Sequence, residues 1–155
     1  MSVTIQIQAD PFDTARETAL LTARRADIGA VVSFVGLCRD EGGRLSALEL
    51  EHYPGMAEAE IRRIAEMAGE RWPLLGLTVI HRHGMIRPGE DIVLVLTASA
   101  HREAAFSAAS FLMDYLKTNA PFWKREHLRD GTKGAWVEAA ARDDAALERW
   151  ERTQG

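Results

Sequence analysis

Several common routes to function are closed to this chain by what it lacks. It has one cysteine, Cys38, which excludes an internal disulfide and fits a reducing compartment. No CxxC, HExxH, Walker loop or GxGxxG occurs, so the usual zinc and nucleotide fingerprints are missing. No stretch reaches the ~20 apolar residues a membrane helix needs. The opening MSVTIQIQAD has neither the basic nor the apolar region of a secretion signal. A cytoplasmic protein without membrane contact is the expectation. A net charge of −4 argues against a general nucleic-acid binder but leaves room for a local basic pocket. Lysine is scarce too: three of the nineteen basic residues are lysine, and the rest are arginine.

What remains is ordinary for a globular protein, with 46% apolar and 27% charged residues. At 155 residues, one domain over 1–155 is the default. No repeat, low-complexity tract or linker interrupts it.

The hydrophobic pattern alternates between strand and helix. Val3 to Gln8 alternates apolar and polar, as a half-buried strand does. Asp10 is the expected cap of a helix with Pro11 at its first position. Gly29 to Leu37 is a nearly continuous apolar run and reads as a buried strand. CRDEGGR then reads as a flexible turn, and LSALELEH alternates again. Met56, Ile61, Ile64 and Met67 mark a helix. LTVIHRHG and IVLVLTA are strands either side of the turn MIRPGED. Residues 101–120 form a long helix stopped by Pro121. FWKREHL and AWVEA are strands joined through RDGTKG, and DDAALERWE is a short terminal helix. Hairpin-short connections among interleaved strands and helices predict an α+β fold with a mixed or antiparallel sheet and flanking helices.

Two of the three lysines, Lys117 and Lys124, lie seven positions apart around Ala120-Pro121. Arginine stays charged, whereas lysine can lose a proton, attack a carbonyl or shuttle a proton. Lys117 falls near the carboxyl end of the long helix, where a cation is favoured in any case. It also continues a stripe of Phe106, Ser110 and Met113, which predicts partial desolvation and a better base or nucleophile. If residues 122–126 are extended, Phe122, Lys124 and Glu126 face one way and Trp123 and Arg125 the other. Lys124 is then either a ligand contact or an edge-strand guard against aggregation.

Two further cationic places stand out. Arg39 leaves a buried strand into a Gly-rich loop, as a ligand contact or as a solvated loop arginine. Ser99 reads as the cap of the long helix, placing His101 and Arg102 in its first turn. Cations are disfavoured there, so the pair either surrounds an anion or points into water. Cys38 beside Arg39 predicts a lowered thiol pKa, although a lone buried cysteine is the commoner case. His81 and His83 alternate on a strand with no acidic or cysteine partner to complete a metal site. They read as structural.

GAVVSFVGLCRD, LELEHYPGMAE, VIHRHGMIRPGE, ASAHREAAFSAASFLMDYLKTNAPFWKRE and WVEA, taken together and in this order, resemble the large, catalytic subunit of the molybdopterin synthase family. The resemblance covers a core of about 3–140 and leaves a helical tail at about 141–155. It implies an α/β hammerhead-type α+β fold. It also implies an enzyme of molybdenum cofactor biosynthesis, a transferase. Such an enzyme moves sulfur from the carboxyl-terminal thiocarboxylate of a small ubiquitin-like partner, ending in Gly-Gly, to cyclic pyranopterin monophosphate. The product carries a dithiolene. The implied assembly is a homodimer of this chain, and a heterotetramer with the partner. No cofactor or metal is implied, because the donor already carries activated sulfur.

The same resemblance implies roles for named residues. Lys117 and Lys124 match the active-site lysines. Leu37, Cys38 and Arg39 match a substrate-binding loop, and His101 and Arg102 an anion-binding pair. Arg125 and Glu126 continue the binding strand, and Phe34 and Met113 match pocket walls. The family's arginine after WVEA, contributed across the dimer, has its nearest counterpart in Arg142, displaced from the usual pattern. His101 and Lys117 lie ~24 Å apart along one helix. If both serve one pocket, two protomers must build it.

Overall fold

The computed structural model describes residues 1–119, 121–138 and 148–151. Seven strands and three long helices follow one another as β1 (Ser2–Gln8), α1 (Thr14–Thr22), β2 (Ala30–Leu37), β3 (Leu45–His52), α2 (Met56–Arg71), β4 (Leu74–Arg82), β5 (Gly84–Ile86), β6 (Asp91–Ser99), α3 (Arg102–Asn119) and β7 (Phe122–Leu128). Residues 148–151 form one further helical turn.

The strands divide into two sheets. The larger has the order β1-β4-β6-β2 and is mixed: β1 runs parallel to β4, while β4–β6 and β6–β2 are antiparallel. The smaller, β5-β3-β7, is antiparallel throughout. This is the α+β architecture expected from the interleaved pattern.

β4 and β6 occupy the centre of the larger sheet, and their continuous apolar sequence follows from burial on both faces. Leu77, Val79, Val93 and Val95 face α2 and α3, where Ile61, Ile64, Phe111 and Leu112 close the main core. Ile80, Leu94 and Leu96 face the other way, against Phe12 and Leu21 beside α1. The alternation is the two-residue period of a strand read from both sides. A smaller cluster of Cys38, Leu45, Leu50 and Ile86, with Ile92 packed on it, joins the two sheets.

Local expectations were corrected in four places. The cap of α1 is Asp13, whose side chain accepts from the Arg16 backbone N–H at 3.1 Å; Asp10 and Pro11 lie before it. Ser99 is no cap, because it is buried at the end of β6 and its hydroxyl donates to the Pro73 carbonyl at 2.9 Å. The expected turn MIRPGED begins with a short strand, β5, paired with β3. The expected strand AWVEA reduces to an isolated bridge between Val137 and Lys124. The 141–155 tail is described only at 148–151, where Trp150 packs on the main core. Its indole N–H donates to Asp114 on α3 at 2.5 Å. Among the described residues no helix is long and apolar enough to cross a membrane.

Candidate active site

α3 ends where β7 begins, and that junction makes the site. Asn119 closes the helix, Pro121 prevents its continuation, and β7 then pairs antiparallel with β3. The turn brings Lys117, from the last turn of the helix, and Lys124, from the new strand, to one cleft of about 260 Å³. Phe34, Leu37, Met113, Leu116, Phe122 and Trp123 supply most of its walls, with His81 and Glu138 as further polar groups. Neither lysine has a carboxylate partner among the described residues.

The floor is aromatic. His81 and Phe122 stack with centroids 3.8 Å apart and an interplanar angle of 17°. The Nδ1–H of His81 donates to the Arg82 carbonyl at 2.8 Å. Burial is the main reason its pKa is lowered to about 4, and His52 and His83 lower it further by charge. The imidazole is therefore neutral near pH 7, and the cleft holds two cations rather than three.

A second cleft of about 200 Å³ lies alongside, lined by Leu37, Cys38, Arg39, Glu41, Arg44, Leu45, Leu48, Ile92, Lys124 and Glu126. Leu37, Leu48, Ile92 and Lys124 border both clefts. Lys124 thus stands between an apolar chamber and a charged one. Arg39 is exposed and paired with Glu41 in the Gly-rich loop.

The expected residues divide accordingly. Phe34, Leu37, Met113, Lys117 and Lys124 come together at the first cleft, and Leu37, Cys38, Arg39, Lys124 and Glu126 at the second. Arg125 enters neither. Its guanidinium lies over the Trp136 ring at 4.4 Å, on the other side of β7, as strand alternation requires. Trp123 borders the first cleft even though alternation placed it opposite Phe122. His101 and Arg102 sit exposed at the far end of α3, away from both clefts. Arg142 lies outside the described residues.

Two chemical expectations are corrected. Cys38 is 3% exposed, and its thiol pKa is raised, chiefly by burial and then by Glu90 and Asp40. Arg39 turns to Glu41 and does not lower it. Lys117 is exposed, as are Phe106 and Ser110 of its stripe, so a single protomer does not supply the expected desolvation. His81 and Glu138 line the first cleft and Arg44 the second, although the sequence reads His81 as structural and does not single out the other two. His81 lies opposite Val93, another cleft residue, in the β4–β6 register. That pairing is long-range and leaves no local signal.

Comparison with known proteins gives a consistent result. A family model described as "MoaE protein" matches residues 7–119. A molybdopterin synthase catalytic subunit of Mesorhizobium japonicum is 70% identical over 150 residues, covering 97% of this chain and 94% of that protein. Among solved structures, a molybdopterin biosynthesis MoaE protein from Burkholderia ambifaria superposes with a TM-score of 0.85 at 50% identity, over 97% of this chain and 99% of that one. A molybdopterin synthase from Staphylococcus aureus gives a TM-score of 0.77 at 29% identity, over 84% and 94% of the two chains.

Proposed function

The chain belongs to the MoaE protein family, and from that premise and the two-lysine cleft we propose that it is the catalytic subunit of a molybdopterin synthase. It transfers sulfur from the thiocarboxylated Gly-Gly tail of a small ubiquitin-like partner to cyclic pyranopterin monophosphate, building the dithiolene of molybdopterin. The observation that carries this reading is the convergence of Lys117 and Lys124, without carboxylate partners among the described residues, on one largely apolar cleft.

The apolar cleft suits a threaded tail, because glycine residues need room for backbone and nothing more. At its end the thiocarboxylate meets two ammonium groups. Lys117 polarises the tail carbonyl oxygen and manages the proton that sulfur transfer moves. Both roles suit a positioned amine. Lys124, on the border of the charged cleft, holds the pterin and stabilises negative charge as it develops. Arg39 contributes a planar donor set for the phosphate end, once Glu41 releases it. No metal or cofactor is needed, since the sulfur arrives already activated.

His101 and Arg102 join this chemistry only from a neighbouring copy. Helix α3 is 18 residues long, or ~27 Å at 1.5 Å per residue, and its two ends cannot both touch one pterin. The working assembly is a central homodimer, with one small partner on each cleft, in the cytoplasm.

A rival enzyme reading would carry sulfur on Cys38 as a persulfide. It is opposed by the burial of that thiol and its raised pKa, which keep it from the nucleophilic thiolate form. The test mixes the purified chain, thiocarboxylated partner and cyclic pyranopterin monophosphate, and follows dithiolene formation. The reading predicts product with the Cys38→Ser chain and a loss of at least about a hundredfold with Lys117→Ala. Product formation that ignores Lys117 and requires Cys38 would overturn it.

A further inference from the structure

The geometry points to His81 as the residue that recognises the backbone of the incoming tail: its Nε2 accepts the N–H of the amide joining the two terminal glycines. The role rests on the tail-in-cleft reading above and adds to it a residue that reading does not use.

A Gly-Gly tail has no side chains. It offers only carbonyl oxygens, N–H groups and a terminal anion for recognition. Lys117 and Lys124 are donors without acceptor capacity, so they address the oxygen and sulfur end and leave the N–H groups unmet. An N–H carried into an apolar cleft requires an acceptor. Among the described side chains lining that cleft, the acceptors are His81 and Glu138.

His81 is set up as an acceptor by three features. Its Nδ1 faces the Arg82 carbonyl at 2.8 Å. A carbonyl cannot donate, so Nδ1 carries the proton and, in the neutral ring, Nε2 carries the lone pair. The carbonyl that fixes this tautomer is itself held still. Arg82 is buried, and its guanidinium donates to the Ala9 carbonyl at 3.1 and 3.0 Å and to the Asp91 carbonyl at 2.9 Å. Stacking on Phe122 fixes the plane of the ring.

Nε2 has no partner among the described residues, yet it is not sealed in. Among the described residues, the buried polar side-chain atoms left without a partner are His52 Nδ1 and Arg125 Nε. His81 therefore keeps an open lone pair at the edge of a cleft it lines. The titratable groups around it are Lys117, Lys124 and Glu138 across the cleft, and His52 and His83 behind it. Burial first, and then the charge of His52 and His83, oppose protonation of the ring and so preserve the acceptor.

Two short synthetic peptides ending in Gly-Gly with a free carboxylate test this, one normal and one with the amide between the glycines replaced by an ester. The ester keeps the shape and removes the N–H. Binding to the full chain is followed by NMR titration up to millimolar peptide. Wild type should bind the amide about tenfold more tightly than the ester, the scale of one hydrogen bond in a desolvated site. His81→Phe keeps the stack and loses the acceptor, so it should bind the two peptides within about twofold of each other. His81→Gln, which offers a carbonyl oxygen, should recover part of the preference. If wild type binds the amide but does not distinguish the ester, or if His81→Phe still does, the His81 role is overturned and the tail reading stands. If wild type binds neither peptide, the tail reading falls and the His81 role with it.

Discussion

The two ends of α3 carry the same kind of charge and are treated in opposite ways by the fold. At the carboxyl end, Lys117 meets Lys124 across a cleft walled by aromatic and aliphatic side chains. At the amino end, His101 and Arg102 stand exposed and line neither of the two clefts. A cation is stabilised by the helix dipole at the first place and opposed by it at the second. The end that looks stranded in one protomer is thus the end with unmet backbone N–H groups. On the proposed dimer, that end would meet the anion held in a neighbour's cleft.

Several experiments sharpen this contrast. The largest effect belongs to the cleft end: Lys117→Ala should reduce dithiolene formation by about a hundredfold to ten-thousandfold, with the partner still bound in a pull-down. Next comes the amino end. Arg102→Ala should lower activity by about tenfold or more, the value of a charge-assisted contact. Mixing Arg102→Ala chains with Lys117→Ala chains should restore activity, because each hybrid dimer keeps one intact shared site. Hybrids no better than either parent would confine the site to one protomer.

A pH experiment separates the cleft from the surface. The folded pKa of His81 is lowered from 6.5 to about 4. Between those values the unfolded chain binds the extra proton, so stability is fully present above about pH 6.5 and is lost as the pH falls toward 4. The loss from this group is at most about 3 kcal/mol. The pKa of His52 is lowered too, mainly by burial, and acts in the same direction. Denaturant unfolding at steps from pH 7 to 4.5 should show the decline, and His81→Phe should flatten it. The smallest effect is expected at Cys38. Cys38→Ser should leave turnover within about twofold and cost about 1 kcal/mol of stability, because the hydroxyl replaces a thiol buried between the two sheets.

The strands and long helices were legible because hydrophobic period is a local property: Val93, Leu94, Val95 and Leu96 announce a strand buried on both faces wherever it sits. Lys117 and Lys124 were legible as a pair because Pro121 forces a reversal between them, and a reversal within seven positions keeps its ends close. Their shared exposure to one cleft was not legible, nor was His81, which reaches that cleft through the pairing of β4 with β6. The cap of α1 was misread because Asp10-Pro11 and Asp13 offer the same local chemistry, and only packing chooses between them. The same limit applies to Cys38. Its neighbour in sequence, Arg39, turns outward to Glu41, while burial in the fold and then Glu90, distant in the chain, oppose the thiolate, with Asp40 adding to them.

The sequence by itself determined the α+β pattern, the single cysteine and the two lysines flanking a forced turn. These depend on composition and on contacts within a few residues. Tertiary structure decided which cations share a cleft, which arginine turns away, which tautomer His81 holds and how deeply Cys38 is buried. Burial and electrostatic environment are set by strands distant in the chain, and no local pattern encodes who those neighbours are.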